Sequence, residues 1–238
     1  MTNFLTIFRR EFSAYFATPL AAVFLVVFVA LSSGMTFFVS GFFDRAQADL
    51  SSFFTWLPWL FLVLMPAIGM RLWAEERRLG TIELLMTLPV QPWLFVAAKW
   101  AAAFAFAGLA LVLTMPLWVT VNYLGSPDNG VILASYLGAW LMAGAFLAIS
   151  ACISALTKNQ VLAFIGAVIT GFIFVMAGFD LVLSAVRPWA PDALTQAIAA
   201  MSFIGHFQRI TDGVFEASAL VFFASLITFA LWLNVQIL

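Results

Sequence analysis

Charge is missing from long stretches of this chain, and the lengths of those stretches bound what it can be. Of 238 residues only 9% are Asp, Glu, Lys or Arg, against 65% hydrophobic ones that include 27 phenylalanines. Mean hydropathy is +1.10, which excludes a water-soluble globule, whose apolar share is near one half. Runs without a charged side chain cover 12–43, 50–70, 100–127, 129–157, 159–179 and 217–238. A helix needs about 20 apolar residues to cross the hydrocarbon core, so each run holds one spanning helix and none holds two. The expected fold is an all-α integral membrane protein with six transmembrane helices, a single domain over 1–238.

Other absences remove function classes. Cys152 is the one cysteine, so it forms no intramolecular disulfide and says nothing of redox compartment. Inside the fourth run it reads as a small packing residue. His206 is the one histidine, and without a second His or Cys it makes no metal site. The two lysines, Lys99 and Lys158, precede Trp and Asn, so no phosphate-binding G-x-x-x-x-G-K-[ST] loop exists, and H-E-x-x-H and G-x-S-x-G are also missing. The chain is expected to bind no cofactor or metal and to be no enzyme by itself. An ion-coupled carrier or channel usually places ionisable groups inside its spans. Here all six cores lack them, and no internal repeat is evident. The first apolar core, Leu20 to Val39, exceeds the roughly 7–15 residues of a cleaved signal core and is expected to stay.

The charge that is present is distributed unevenly. With six spans both termini share a side, and that side carries Arg9, Arg10, Arg71, Arg77, Arg78, Lys99 and Lys158 against four acids, net +3. The other side carries Arg45, Arg187 and Arg209 against seven acids, net −4, and the two sums give the chain's −1. Positive residues mark the cytoplasmic side, which puts both termini there. Tryptophans prefer the interfaces: Trp56, Trp118, Trp140 and Trp189 fall near expected outer ends, and Trp73, Trp93, Trp100 and Trp232 near inner ones. Residues 1–17 read as an amphipathic helix lying on the inner interface, with Phe8 and Phe12 in its apolar arc and Arg9 and Arg10 on the far side. It serves as a surface anchor or as a partner-docking element. The fourth span carries Gly144, Ala148 and Cys152 at four-residue spacing, a stripe that permits close helix contact.

Charge is dense in one place, EERRLGTIELLMTLPV at 75–90, within an expected cytoplasmic loop at 74–92. Gly80 breaks the charged turn, Thr81 can cap a new helix, and Glu83 suits that helix's positive end. Pro89 stops it after about two turns. Ile82, Leu85, Met86 and Leu88 form its apolar face, and a helix so short must be buried against something. A loop that only held topology would need the arginines but not Glu75, Glu76 and Glu83.

This stretch resembles the signature of ABC-2-type transporter permeases, in Glu76-Arg77, Gly80-Thr81, Ile82, Glu83, Leu84-Leu85, Pro89 and Lys99. The amphipathic start, the six spans and SFIGHFQRITDGVF (202–215) before the last span are similar to the short gliding-motility-type and nitrous-oxide-reductase-maturation-type permeases. The resemblance implies a bacterial inner-membrane exporter subunit with two copies of a separate ABC ATPase, which would hold the ATP and Mg. It also implies a second permease copy or paralogue and a coupling role for the 81–88 helix. Glu75, Glu76, Arg77 and Glu83 would orient that helix on the ATPase, while Phe8, Arg9, Arg10, Phe12 and Lys158 are further candidates for ATPase or membrane-surface contact. An ATP-driven scaffold working on an extracytoplasmic accessory protein stays open as an alternative, as does the carrier or channel. Membrane lipid is an expected partner and nucleic acid is not. Residues 181–215 hold apolar pieces too short to cross, Pro188, Pro191 and two glycines. Such backbone dips into a membrane only where protein buries it or a cavity is lined. The resemblance implies that this is an outer re-entrant segment, the alternative being a cap lying on the outer leaflet, with Asp180 at the outer boundary and His206 as gate or pathway candidates.

Overall fold

The computed structural model describes residues 2–44, 47–87, 89–188, 190–213 and 217–238. Helix α1 (Thr2–Phe16) leads through an extended Thr18 to α2 (Pro19–Gly34), with Pro19 in the first turn, where a missing N–H costs nothing. α2 runs on into a π-helical turn, Met35–Val39. α3 (Ser51–Gly69) and α4 (Arg71–Leu79) are interrupted only at Met70, and α5 (Thr81–Met86) follows Gly80. Next come α6 (Pro92–Val112), α7 (Met115–Leu124), α8 (Asn129–Ala155) and α9 (Gln160–Met176). α10 (Asp180–Val186), α11 (Asp192–Ala200), α12 (Phe203–Thr211) and α13 (Ala217–Ile237) complete the chain. Side-chain caps open three of these helices: Asp128 for α8, Asn159 for α9 and Ser202 for α12, each accepting from N–H groups of the first turn.

Five stretches are long and apolar enough to cross a bilayer: Ala21–Val39, Ser51–Leu79, Pro92–Leu124, Asn129–Ala155 and Ala217–Ile237. α9 reaches that length only together with α10, from which it is bent by 81°. The protein is therefore an all-α integral membrane protein, with six spans when the bent pair is counted as one. Close packing accompanies the bend. A β-carbon on Gly178 would stand 2.1 Å from the Ser202 hydroxyl, so only glycine lets α12 come this near.

α8 is the axis of the bundle, packed against α3, α4, α6, α9, α12 and α13. The stripe expected on it is used inside the chain. A side chain at Gly144 would collide with Phe104 of α6 and Ile227 of α13, and Cys152 Sγ donates to the Ala230 carbonyl of α13. These small residues therefore give no argument for a second copy. The expectation that Trp100 and Trp140 mark opposite interfaces is also corrected. Both rings stack on Phe104, at 4.8 and 4.4 Å between centroids, and their indole N–H groups donate to the Gly144 and Phe104 carbonyls. With its N–H satisfied inside the bundle, neither indole needs the wet side of an interface. α12 sits within the bundle, with Phe203 fully buried among Phe146, Phe174, Phe222 and Phe223, while α11 is largely exposed.

α3 ends at Gly69, beside the expected boundary at Arg71, but the chain does not open into a loop there: α4 carries it on as helix through Leu79. The break at Met70 is held by α8, whose Ser154 hydroxyl accepts from Trp73 N (3.1 Å) and Ala74 N (3.0 Å) and donates to Met70 O (2.8 Å). Trp73 N–H is one of the first-turn donors that α4 itself leaves without a partner. Ser154→Ala is expected to destabilise the chain by about 1–3 kcal/mol, the cost of leaving buried backbone groups unpaired. A lowered thermal midpoint in detergent checks this.

Candidate functional site

The charged segment 71–83 is built on α4 and α5, and its charges are mostly engaged within the chain. Glu76 accepts from Lys99 Nζ, which also donates to Glu11 Oε2 at 3.0 Å. Lys99 Nζ stands 5.3 Å from the centroid of the Trp73 ring. The Lys99 side chain is 4% exposed, and the two carboxylates 19% each. One lysine thus joins α1, α4 and α6. Glu75 accepts from Gln160 Nε2 of α9 at 3.0 Å and pairs with Arg78 at 3.4 Å. Arg77 Nη2 donates to the Ile237 carbonyl of α13 at 3.1 Å. Glu76, Glu75 and Arg77, expected to orient the short helix on its partner, fix α4 to three different parts of the bundle. The same ties bring Glu11 near one terminus, Ile237 near the other, the α8–α9 turn and α4 together at one end of the molecule.

Sequence reasoning missed the Glu11–Lys99–Glu76 link, although a signal existed. Lys99 is the one charge between Glu83 and Asp128, and a lone lysine amid so much apolar chain needs a counter-ion. Glu11 lies between Ile7 and Tyr15 at four-residue spacing, the edge by which α1 packs on α6. Tyr15 stacks on Phe106 at 4.9 Å. Burial pushes its phenol above the ordinary value and the Glu11 carboxylate adds to the rise, so it stays a neutral hydroxyl.

Gly80 has φ +71°, the left-handed conformation that L side chains adopt at a cost, and its N–H caps α4 through the Glu76 carbonyl. It turns the chain sharply from α4 into α5. Thr81 does not cap α5 as expected; its hydroxyl lies 3.4 Å from the Glu76 carbonyl, because the tight turn already brings α4's last carbonyls within reach. Glu83 lies in the first turn of α5. Ile82 and Leu85, two residues of the expected apolar face, are half-buried and pack against the chain's own core. Leu79, 63% exposed, and Leu84, 70% exposed, are the apolar side chains turned outward, flanked by exposed Arg78 and Glu83. Pro89, after α5, is exposed. The expected contacts of the Met86 side chain and of Leu88 lie outside the described residues.

The remaining candidates are dispersed. Arg9, Arg10 and Lys158 are exposed and Phe8 and Phe12 half-buried. Phe4, Phe8, Phe12 and Phe16 form a continuous row of rings along α1, 5.4 to 6.3 Å between centroids. At the far end of the bundle Asp180 is exposed at the start of α10, while His206 Nε2 is 3.0 Å from the Ala200 carbonyl and its ring stacks on Phe222. The two share no contact. Among the described residues no group of three His, Cys, Asp or Glu side chains is placed to hold a metal.

A profile of the family described as ABC-2 family transporter protein matches residues 58–237. The matched region begins within α3 and includes α4, α5 and every later helix. No curated protein matches the chain.

Proposed function

The chain belongs to the ABC-2 family of transporter proteins, and from that premise we propose that it forms the translocation pathway of an exporter, driven through α5 by a separate ATPase subunit. Membership makes it a permease of an ABC transporter, a transport component and not a catalyst, and implies an ABC ATPase as partner. The observation that carries the finer reading is an outward pair across the Gly80 turn, Leu79 at the end of α4 and Leu84 on the short α5, with α4 tied at Lys99, Gln160 and Ile237. Such a helix is a stiff lever. Force applied at Leu84 passes through Gly80 into α4, and from α4 into α3, α8 and α13, without being absorbed by a floppy loop. The ATPase would hold ATP and Mg, and this chain would contribute Arg78, Leu79, Glu83 and Leu84 to the contact. Arg9, Arg10 and Lys158, exposed at or near the same end, would lie beside it.

On this reading the charged end faces the cytoplasm, with both termini, in a bacterial inner membrane. The excess of arginine and lysine there supports it. Six spans are half of a transporter, so the complex would hold two permease chains, identical or paralogous, and two ATPases. Native mass spectrometry of the complex purified with its ATPase tests this: a two-plus-two assembly is expected. A lone permease on one ATPase would contradict the copy number, and no ATPase at all the coupling itself.

A further inference from the structure

A cavity of about 510 Å³ lies between α1, α2, α3, α4 and α6, within the range of roughly 300–1,000 Å³ typical of small-molecule sites. Its two ends differ in chemistry. One is apolar, walled by Val23, Phe24, Val27, Leu64, Ala67 and Phe106; the other holds Glu11, Arg71, Glu75, Glu76 and Lys99. Val23 and Val27 are 56% and 38% exposed, so the apolar end opens on the surface that α2 presents to lipid. At the polar end two buried atoms make no hydrogen bond among the described residues: Arg71 Nε, a donor, and Glu76 Oε2, an acceptor. The acid nearest to Arg71 Nε is Glu75, at 3.8 Å, too far for a hydrogen bond.

We propose that this cavity is a binding site for one membrane phospholipid whose headgroup carries both a phosphate and a primary ammonium. The phosphate accepts from Arg71, and the ammonium donates to Glu76 Oε2, with Glu11 adding negative charge. The upper part of an acyl chain lies along Phe24, Ala67 and Phe106. A headgroup without a cation offers Glu76 Oε2 at most a neutral hydroxyl, a weaker partner than the charge-assisted bond from an ammonium. A zwitterion with N–H donors satisfies both orphaned atoms. Bound there, the lipid fills the space between α1 and the α3–α4 break and holds the two together. The inference rests on the membrane character of the chain and not on its ATPase partnership.

The test uses the full chain in nanodiscs of phosphatidylethanolamine, phosphatidylcholine and phosphatidylglycerol at equal mole fractions, with native mass spectrometry of the lipid retained on release. Trimethylation removes the ammonium donors, so the ethanolamine lipid is expected to be retained over the choline lipid by about tenfold, one charge-assisted hydrogen bond's worth. It should also exceed the glycerol lipid, which lacks the positive charge. Glu76→Gln, which removes the charge facing the ammonium, should abolish the preference for the ethanolamine lipid, and Ala67→Phe, which fills the apolar end, should abolish lipid retention. Failure to retain lipid, equal retention of the three lipids, or enrichment that survives both substitutions would overturn the proposal. The wild-type competition decides the matter even if a variant folds poorly.

Discussion

Lys99→Met is expected to cost the folded chain about 3–5 kcal/mol, because it leaves two carboxylates facing each other with their counter-ion gone. Glu11 and Glu76 each keep 19% of their side-chain surface exposed, which places the cost towards the lower end of that range. The loss should appear as a lowered thermal midpoint in detergent and as easier proteolysis between α1 and α2, since Lys99 is the polar tie that holds α1 to α6. The triple variant Glu11→Gln, Glu76→Gln, Lys99→Met removes all three charges together. It should recover much of the loss, because replacing a whole buried ionic group is far less costly than breaking it. If the single variant has the stability of the wild type, the cluster contributes nothing to holding α1.

That cluster shows where the sequence was readable and where it was not. Uncharged runs located the spans because the length needed to cross lipid is fixed by geometry, and α2, α3, α6, α8, α9 and α13 all begin or lie within or beside those runs. Thr18-Pro19, Gly80 and Pro89 marked element boundaries because proline restricts the backbone locally and glycine admits a left-handed turn, whatever surrounds them. What stayed hidden depended on partners distant in sequence. Ser154 is unremarkable in the fourth span until α8 brings it to the break at Met70, 84 positions away. Glu76 reads as a charge that orients the short helix on a partner until α6 lays Lys99 beside it. The apolar face of α5 was correctly seen to need burial, but periodicity cannot say against what. The chain's own core takes Ile82 and Leu85, leaving Leu84 on the opposite side of the same two turns. Cavities are likewise invisible in one dimension, since the walls of this one come from five helices.

The coupling account rests on Leu84, and it separates from stability because of where that side chain sits. Leu85 packs against the chain's own core, so Leu85→Asp is expected to loosen α5 itself and confound the result. Leu84 is 70% exposed, so Leu84→Asp should leave the permease as stable as the wild type. At a contact with the ATPase the same change forfeits the burial of a leucine side chain, worth about 1.5–3 kcal/mol, and desolvates an unpaired carboxylate besides. Affinity for the ATPase should therefore fall by at least about tenfold, and ATP turnover of the complex should fall with it. Glu83→Ala, which removes a first-turn acid worth about 0.3–1 kcal/mol to α5, should have a smaller effect.

The most direct measurement is equilibrium binding of the ATPase subunit to wild-type and Leu84→Asp permease in nanodiscs, with thermal midpoints of both chains recorded alongside. The expected result is a loss of affinity of about tenfold or more at an unchanged midpoint. Equal affinity of the two permeases at equal stability would contradict the account and leave α5 as a surface turn that holds topology and transmits nothing.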